Sequence, residues 1–150
     1  MSGPQTKFST CLGQIGELWG SVVTLGPRVF GKEAESAAEL FLRQKGYRIL
    51  HRNVRFPNGE LDLVASIGKT VVFVEVKARR TSLFGGALHA VNRRKELRLI
   101  QLAAQYLARY GLDDRPCRFD VVLCQGDTAE SAHIEHIENA FEVPGSDLRW

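Results

Sequence analysis

The chain has 150 residues, 44% hydrophobic and 25% charged, which suits one folded domain with a sizeable core. Its net charge of +3 is too small to identify a nucleic-acid partner by itself. No apolar run approaches the roughly 18 residues that span a bilayer. The first residues also lack the regions of a signal peptide. We therefore expect no membrane association.

Three cysteines occur in the chain, at Cys11, Cys117 and Cys124. Their number is odd and their spacing fits no zinc site, so neither a disulfide framework nor bound zinc is indicated. Reduced thiols are typical of a cytoplasmic protein, which is the location we expect.

Punctuation by small residues divides the chain into three parts. Glycine, serine, threonine and proline interrupt residues 1–29, where no hydrophobic period emerges. We expect this segment to form a flexible or loosely docked N-terminal arm. Residues 30–142 are expected to form the folded domain, and residues 143–150 a C-terminal tail.

The first periodic segment, from Gly31 to Lys45, predicts an amphipathic helix. Its apolar residues recur at the spacing of one helical face. They are Ala34, Ala37, Ala38, Phe41 and Leu42. Glu35 lies at the edge of this stripe. There it either leans over a sheet beneath the helix or stays on the surface near Lys32 or Arg43.

A strand with a basic, polar face is predicted from Tyr47 to Arg55, and residues 56–59 predict a turn. The next segment, Glu60 to Lys77, contains two runs suited to strands, separated by Gly68 and Lys69. Such a break predicts a two-residue hairpin turn.

Pairing Ile67 with Thr70 across this turn has a chemical consequence. Asp62 then falls opposite Glu75, and Glu60 opposite Lys77. All four side chains share one face because strand side chains alternate. The other face is predicted to hold Leu61, Leu63, Ala65, Val72, Val74 and Val76.

Two carboxylates directly opposite each other are unfavourable in a structural sheet. At about 5 Å and an effective dielectric constant near 20, their repulsion is on the order of 3 kcal/mol. A shared proton, a cation or a metal ion would offset it. Because carboxylates bind Mg²⁺ while leaving waters on the ion, and Lys77 lies beside them, the pattern indicates metal-assisted phosphodiester chemistry.

A second helix is predicted from about Arg93 to Tyr110, with Asn92 as its N-cap. Its predicted buried stripe is Leu97, Ile100, Ala103, Ala104 and Leu107. The loop before it, from Ala78 to Ala90, contains paired glycines and is either a mobile lid or a passive connection. Basic residues flank and open the helix, where they either bind phosphate or form a solvated face. They are Arg79, Arg80, Arg93, Arg94, Lys95 and Arg98.

Two more strands are predicted, from Arg118 to Cys124 and from His133 to Ile137. Asp120 is surrounded by apolar residues, so we expect it to cap the backbone or pair with an arginine such as Arg118. His133 and His136 have no metal-ligand spacing, and we interpret them as non-ligands. This order of elements predicts an α/β domain with a small mixed sheet flanked by helices.

Several motifs in this order resemble the YraN-like family of bacterial proteins. The first are AE-x-x-A-x-x-x-L at 34–42, GY-x-IL-x-RN at 46–53 and GELDLVA at 59–65. They are followed by VFVEVKAR at 72–79, FG at 84–85, AV-x-x-x-K at 90–95, RFDVV at 118–122 and a late HIENAF. Together they cover about residues 31–141, which leaves out the N-terminal arm.

That family is similar to the restriction-endonuclease-like superfamily, with its D…(D/E)-x-K signature, and in layout to archaeal Holliday-junction resolvases. The resemblance implies that residues 30–142 form an endonuclease-like domain. It also implies catalytic roles for Glu35, Asp62, Glu75 and Lys77. Asp62, Glu75 and Glu35 would hold Mg²⁺ or Mn²⁺, while Lys77 orients water or stabilises charge.

We therefore expect a metal-dependent DNA endonuclease whose basic residues contact backbone phosphates. Branched or duplex DNA is the preferred substrate by analogy with resolvases, and cutting both strands of a junction would require a homodimer. Two rival functions remain open: a non-catalytic nucleic-acid-binding module, and a protein-interaction factor with an acidic face. A third reading is that the four polar residues form only a buried ion network.

Overall fold

The computed structural model describes residues 27–79, 91–126 and 132–144. Within them the chain forms two helices and five strands. In chain order they are α1 (Pro27–Gln44), β1 (Arg48–Phe56), β2 (Gly59–Ile67), β3 (Thr70–Arg79), α2 (Arg93–Tyr110), β4 (Cys117–Gln125) and β5 (His133–Ile137). Residues 1–26 of the predicted arm, residues 145–150 of the predicted tail, Cys11, Arg80 and the glycine pair of the predicted lid lie outside the described residues.

The five strands form one mixed sheet in the order β1-β2-β3-β4-β5. Its pairs are antiparallel except β3 with β4, which run parallel. A parallel pair needs a crossover connection, and α2 lies in the segment that joins these two strands. The predicted α/β class, with a small mixed sheet and flanking helices, is confirmed.

Two large hydrophobic clusters and a small one, Val121 with Leu123, form the core among the described residues. In the first, Ala38 and Leu42 of α1 pack with sheet residues that include Leu63 and Val72. In the second, Leu102 and Tyr106 of α2 pack with other buried sheet residues. Neighbouring strand residues therefore divide between the two helices, and the sheet is buried between them.

The helix α1 agrees with its predicted stripe. Ala34, Ala37, Ala38 and Leu42 are buried, and Phe41 is partly buried. The helix begins at Pro27, earlier than predicted, and a proline is tolerated in the first turn because its missing N–H has no helical partner. Gly46 follows the helix with φ 90°, a conformation that favours glycine.

The bounds and the Asn92 cap predicted for α2 are confirmed, and its predicted stripe is confirmed at Ala103 and Leu107 but wrong at Leu97. Leu97 is 46% exposed. The buried residues are Leu99, Leu102, Ala103, Tyr106 and Leu107. The predicted and the observed buried residues both recur at helical spacing. The observed face was not predicted because tyrosine, with its polar hydroxyl, was not expected in the buried stripe. The ring of Tyr106 is buried, and its hydroxyl lies 2.7 Å from Nδ1 of His51.

The predicted hairpin register is confirmed from Ile67–Thr70 to Leu63–Val74, where the β2–β3 ladder ends. The predicted face of Leu61 is wrong, because it packs in the α2 cluster rather than beside Leu63. The cause lies on the neighbouring strand. Asn53 has φ 49°, which breaks the alternation of β1 next to Leu61 and Asp62.

The other early predictions have plain outcomes. Cys117 and Cys124 are buried in the core. Among the described residues, no helix is long and apolar enough to cross a membrane.

Candidate active site

The site begins where β2 separates from β3. The ladder stops at Leu63 and Val74, so Asp62 and Glu75 are the next residues beyond the last pair. Oδ2 of Asp62 accepts a hydrogen bond of 2.9 Å from the Val76 backbone N–H. The Val76 N–H thus bonds a side-chain carboxylate instead of a backbone carbonyl of β2. This hydrogen bond fixes Asp62 beside Glu75.

Glu75 is the buried centre of the site, with 4% of its surface exposed. Its Oε1 forms ion pairs with Nζ of Lys77 at 3.0 Å and Nζ of Lys95 at 2.7 Å. Its Oε2 is buried and has no hydrogen-bond partner in the described structure. An unpaired buried carboxylate oxygen is costly, so this atom is suited to receive a cation or a water.

The environment of Asp62 disfavours its charged form. Burial, followed by the charge of Glu75, raises the pKa of Asp62 to about 7. The Val76 N–H and Lys95 act in the opposite direction, and the charge of Glu35 adds to the rise. A divalent cation between the two carboxylates would relieve the repulsion that this pKa reflects.

Glu35 of α1 is near enough for its charge to act on Asp62, and burial raises the pKa of Glu35 itself despite a hydrogen bond from Asn53. With its amide nitrogen facing the carboxylates, Asn53 donates to Oε2 of Glu35 and Oε1 of Glu60, each at 3.0 Å. Arg55 also contacts Glu60, at 3.2 Å. Glu60 therefore contacts β1, whereas the register had predicted it opposite Lys77.

The donor set fits a cation held by two carboxylates. In the part of the chain that is described, no three His, Cys, Asp or Glu side chains form a ready metal cage. However, Mg²⁺ commonly takes only one or two protein carboxylates and keeps its waters. Asp62 and the free Oε2 of Glu75 supply such a pair. A ligand role for Glu35 stays a prediction.

The described residues that were predicted to bind phosphate lie in three different environments. Arg93, Arg94 and Arg98 are exposed on the first turns of α2, where they are free to meet a polyanion, although Arg93 also contacts Glu96 at 3.3 Å. Lys95 instead points into the carboxylate site. Arg79 ends β3, and its carbonyl accepts from the Gly126 N–H at 2.9 Å.

Asn53 is a site residue that the sequence analysis missed, and Lys95 is one that it assigned to phosphate binding rather than to the carboxylates. A signal for Lys95 was present, because a lysine in the first helical turn opposes the helix dipole and needs a local anion. For Asn53 the signal was weaker: asparagine tolerates positive φ better than most residues, so one inside a strand indicates irregular backbone.

A second buried carboxylate, Asp120, has a structural environment. Both of its oxygens lie 2.8 Å from the Arg118 guanidinium, as expected, and Nε2 of His136 contacts Oδ2 at 2.8 Å. The Asn139 N–H also donates to it at 3.0 Å. His136 thus pairs with a carboxylate, and all these donors satisfy Asp120 without a metal.

The chain matches the model of the Uncharacterised protein family UPF0102 over residues 34–124. It belongs to this family. The predicted YraN-like resemblance is thereby confirmed. The matched segment of this UPF0102 protein contains Glu35, Asp62, Glu75, Lys77 and Lys95.

Individual relatives agree over most of their lengths. A UPF0102 protein of Symbiobacterium thermophilum is 47% identical over 116 residues, which are 77% of this chain and 98% of that protein. One from Moorella thermoacetica is 47% identical over 120 residues, covering 79% and 100%. One from Nitrosomonas eutropha is 45% identical over 112 residues, covering 75% and 92%.

Proposed function

We propose that this UPF0102 protein is a Mg²⁺- or Mn²⁺-dependent DNA endonuclease that hydrolyses phosphodiester bonds. The observation that carries the proposal is the pair Asp62 and Glu75, with a lysine on one Glu75 oxygen and no partner on the other. A structural ion network would leave no buried carboxylate oxygen unpaired. Cation binding gives that oxygen a partner.

Each residue of the proposed site has a distinct task. Asp62 and Glu75 hold the ion, and the Val76 N–H keeps the Asp62 carboxylate in place. When bound, the ion neutralises charge on the scissile phosphate and lowers the pKa of the attacking water. Lys77, 31% exposed, orients that water or stabilises charge on the phosphate. Glu35 orients a water at the rim.

Duplex or branched DNA is the proposed substrate. The exposed Arg93, Arg94 and Arg98 lie on the helix whose Lys95 enters the site, so they would hold backbone phosphates near the carboxylates. Such contacts confer affinity without sequence readout. Cutting both strands of a junction would further require a homodimer that presents two sites.

The test is cleavage of labelled DNA: a four-way junction, a flap, a duplex and a single strand, each with Mg²⁺, Mn²⁺ or EDTA. The Glu75→Gln variant removes the buried charge at constant shape. Glu135→Gln makes the same change at an exposed position on β5 and is the matched control. Cutting should need metal, survive in the control and fall at least about 100-fold in Glu75→Gln. Equal cutting by both variants would rule out this site.

One observation favours a second candidate, a nucleic-acid-binding module without catalysis. Lys77 and Lys95 already neutralise Glu75 in part. If that were their whole purpose, the wild-type protein would bind the DNA panel yet leave it intact in Mn²⁺. Gel-shift and cleavage assays on the same substrates separate these two functions.

A further inference from the structure

The position of Lys95 has no structural necessity. It is the third residue of α2, after the Asn92 cap, and the Asn92 side chain accepts its backbone N–H at 3.0 Å. At this end of a helix a cation is disfavoured by the helix dipole. The backbone geometry is satisfied by the cap alone, so the reason for a lysine must lie where its side chain ends.

The side chain ends on the buried carboxylate. Nζ of Lys95 lies 2.7 Å from Oε1 of Glu75. This is the shorter of the two ion pairs of that oxygen, since Nζ of Lys77 lies 3.0 Å from it. Two ammonium groups on one oxygen repel each other. The Lys95 side chain remains 38% exposed, so it has a path away from Glu75 toward solvent.

Lys95 also acts on the other carboxylate. Burial and the charge of Glu75 dominate the raised pKa of Asp62, and Lys95 opposes them. One ammonium group thus offsets charge on both residues that are proposed to hold the metal. This is the electrostatic task that a divalent ion would perform when bound.

From this geometry we infer that Lys95 is a tethered cation that occupies Glu75 in the metal-free protein and competes with the divalent ion for it. The inference rests on the proposed function. An ion held by Asp62 and Oε2 of Glu75 repels the ammonium group on Oε1, which then moves away from Glu75 toward solvent at the first turns of α2. Lys95 is then a positioning residue, which keeps the empty site intact and becomes available to a substrate phosphate.

Mn²⁺ titration tests this competition without any cleavage. Isothermal calorimetry should show about tenfold tighter Mn²⁺ binding by Lys95→Met than by wild type, because the competing cation is gone. Lys69→Met removes the same charge in the exposed turn between β2 and β3 and should leave the affinity unchanged. In EDTA, Lys95→Met should also melt at a lower temperature. A lysine that is merely structural would lower the melting temperature and leave the Mn²⁺ affinity unchanged or weaker, which would overturn the inference.

A second measurement needs no variant. Acetylation of wild-type lysines, followed by mass spectrometry, should show Lys95 reacting severalfold faster in Mg²⁺ than in EDTA, with Lys69 as the internal reference. Unchanged reactivity would contradict displacement, and so would the absence of Mn²⁺ binding in both wild type and Lys95→Met.

The cleavage panel separates this inference from the proposed nuclease function. DNA cutting with unchanged Mn²⁺ affinity in Lys95→Met would reject only the tethered cation. Tighter Mn²⁺ binding without cutting would reject only the nuclease.

Discussion

Asp62 is held in a state that opposes folding. Its carboxylate is half-buried and faces Glu75, and among the described residues only the Val76 N–H donates to it. Burial and Glu75 raise its pKa to about 7, from an ordinary value near 4. Carboxyl groups whose pKa is raised by burial and by a neighbouring carboxylate are typical of functional sites, where stability is sacrificed for activity.

This unfavourable state predicts a pH-dependent stability. Because the folded pKa of Asp62 is raised, the folded protein retains a proton that the unfolded chain loses, so stability falls as pH rises from about 4 to about 7. In EDTA at pH 8, Asp62→Asn should therefore raise the free energy of unfolding by on the order of 1 kcal/mol. At pH 4 it should have little effect. Urea denaturation at both pH values measures this.

The matched control is Asp114→Asn, in the exposed loop after α2. It should leave stability nearly unchanged at either pH, because an exposed carboxylate has no strain to relieve. Destabilisation by Asp62→Asn at pH 8 would mean that the Val76 contact outweighs the repulsion from Glu75.

At the scale of elements, the buried side chain of Asp120 helps to hold the edge strand β5 against β4. The strand β5 pairs with β4 at the edge of the sheet, and His136 of β5 contacts Asp120 of β4. Burial would raise the Asp120 pKa, but hydrogen bonds from His136 and Arg118 outweigh it and keep the pKa below its ordinary value. This network adds buried side-chain contacts to the ladder that joins the edge strand to β4.

Asp120→Asn should accordingly destabilise the protein by about 3 kcal/mol, because it leaves Arg118 and His136 facing a neutral group. Since the Asp120 pKa is lowered, its contribution is present above pH 4 and is lost as pH falls through the folded pKa. Thermal and urea denaturation at pH 7 measure the loss, and Mn²⁺ affinity should not change. A loss under about 1 kcal/mol would show that β5 is held otherwise.

The same elements show how far the sequence could predict this structure. Alternation and the Gly68 turn were enough for the hairpin register, and so for bringing Asp62 and Glu75 together. They failed at Leu61. Asn53 on the adjacent strand has a left-handed backbone conformation, which a strict alternation of side chains does not predict. Local pattern also cannot tell which helical side chains reach a distant strand, which is why Lys95 was assigned to phosphate.

On the scale of the whole molecule, the candidate site needs all three layers. The sheet contributes Asp62, Glu75 and Lys77, α1 brings Glu35 from one face, and α2 brings Lys95 from the other. Such a site forms only when the complete domain folds. A pattern of charges on the surface of one element has no such requirement.

The central claim is tested most directly by single-turnover cleavage as Mn²⁺ is added back to metal-free protein, comparing wild type with Lys77→Met. We predict that wild type cuts DNA only after Mn²⁺ is added. Lys77→Met should still bind Mn²⁺ but cut about 100-fold more slowly, because the positive charge beside the reacting phosphate is lost. Cutting in EDTA, or equal rates in the two proteins, would contradict the account.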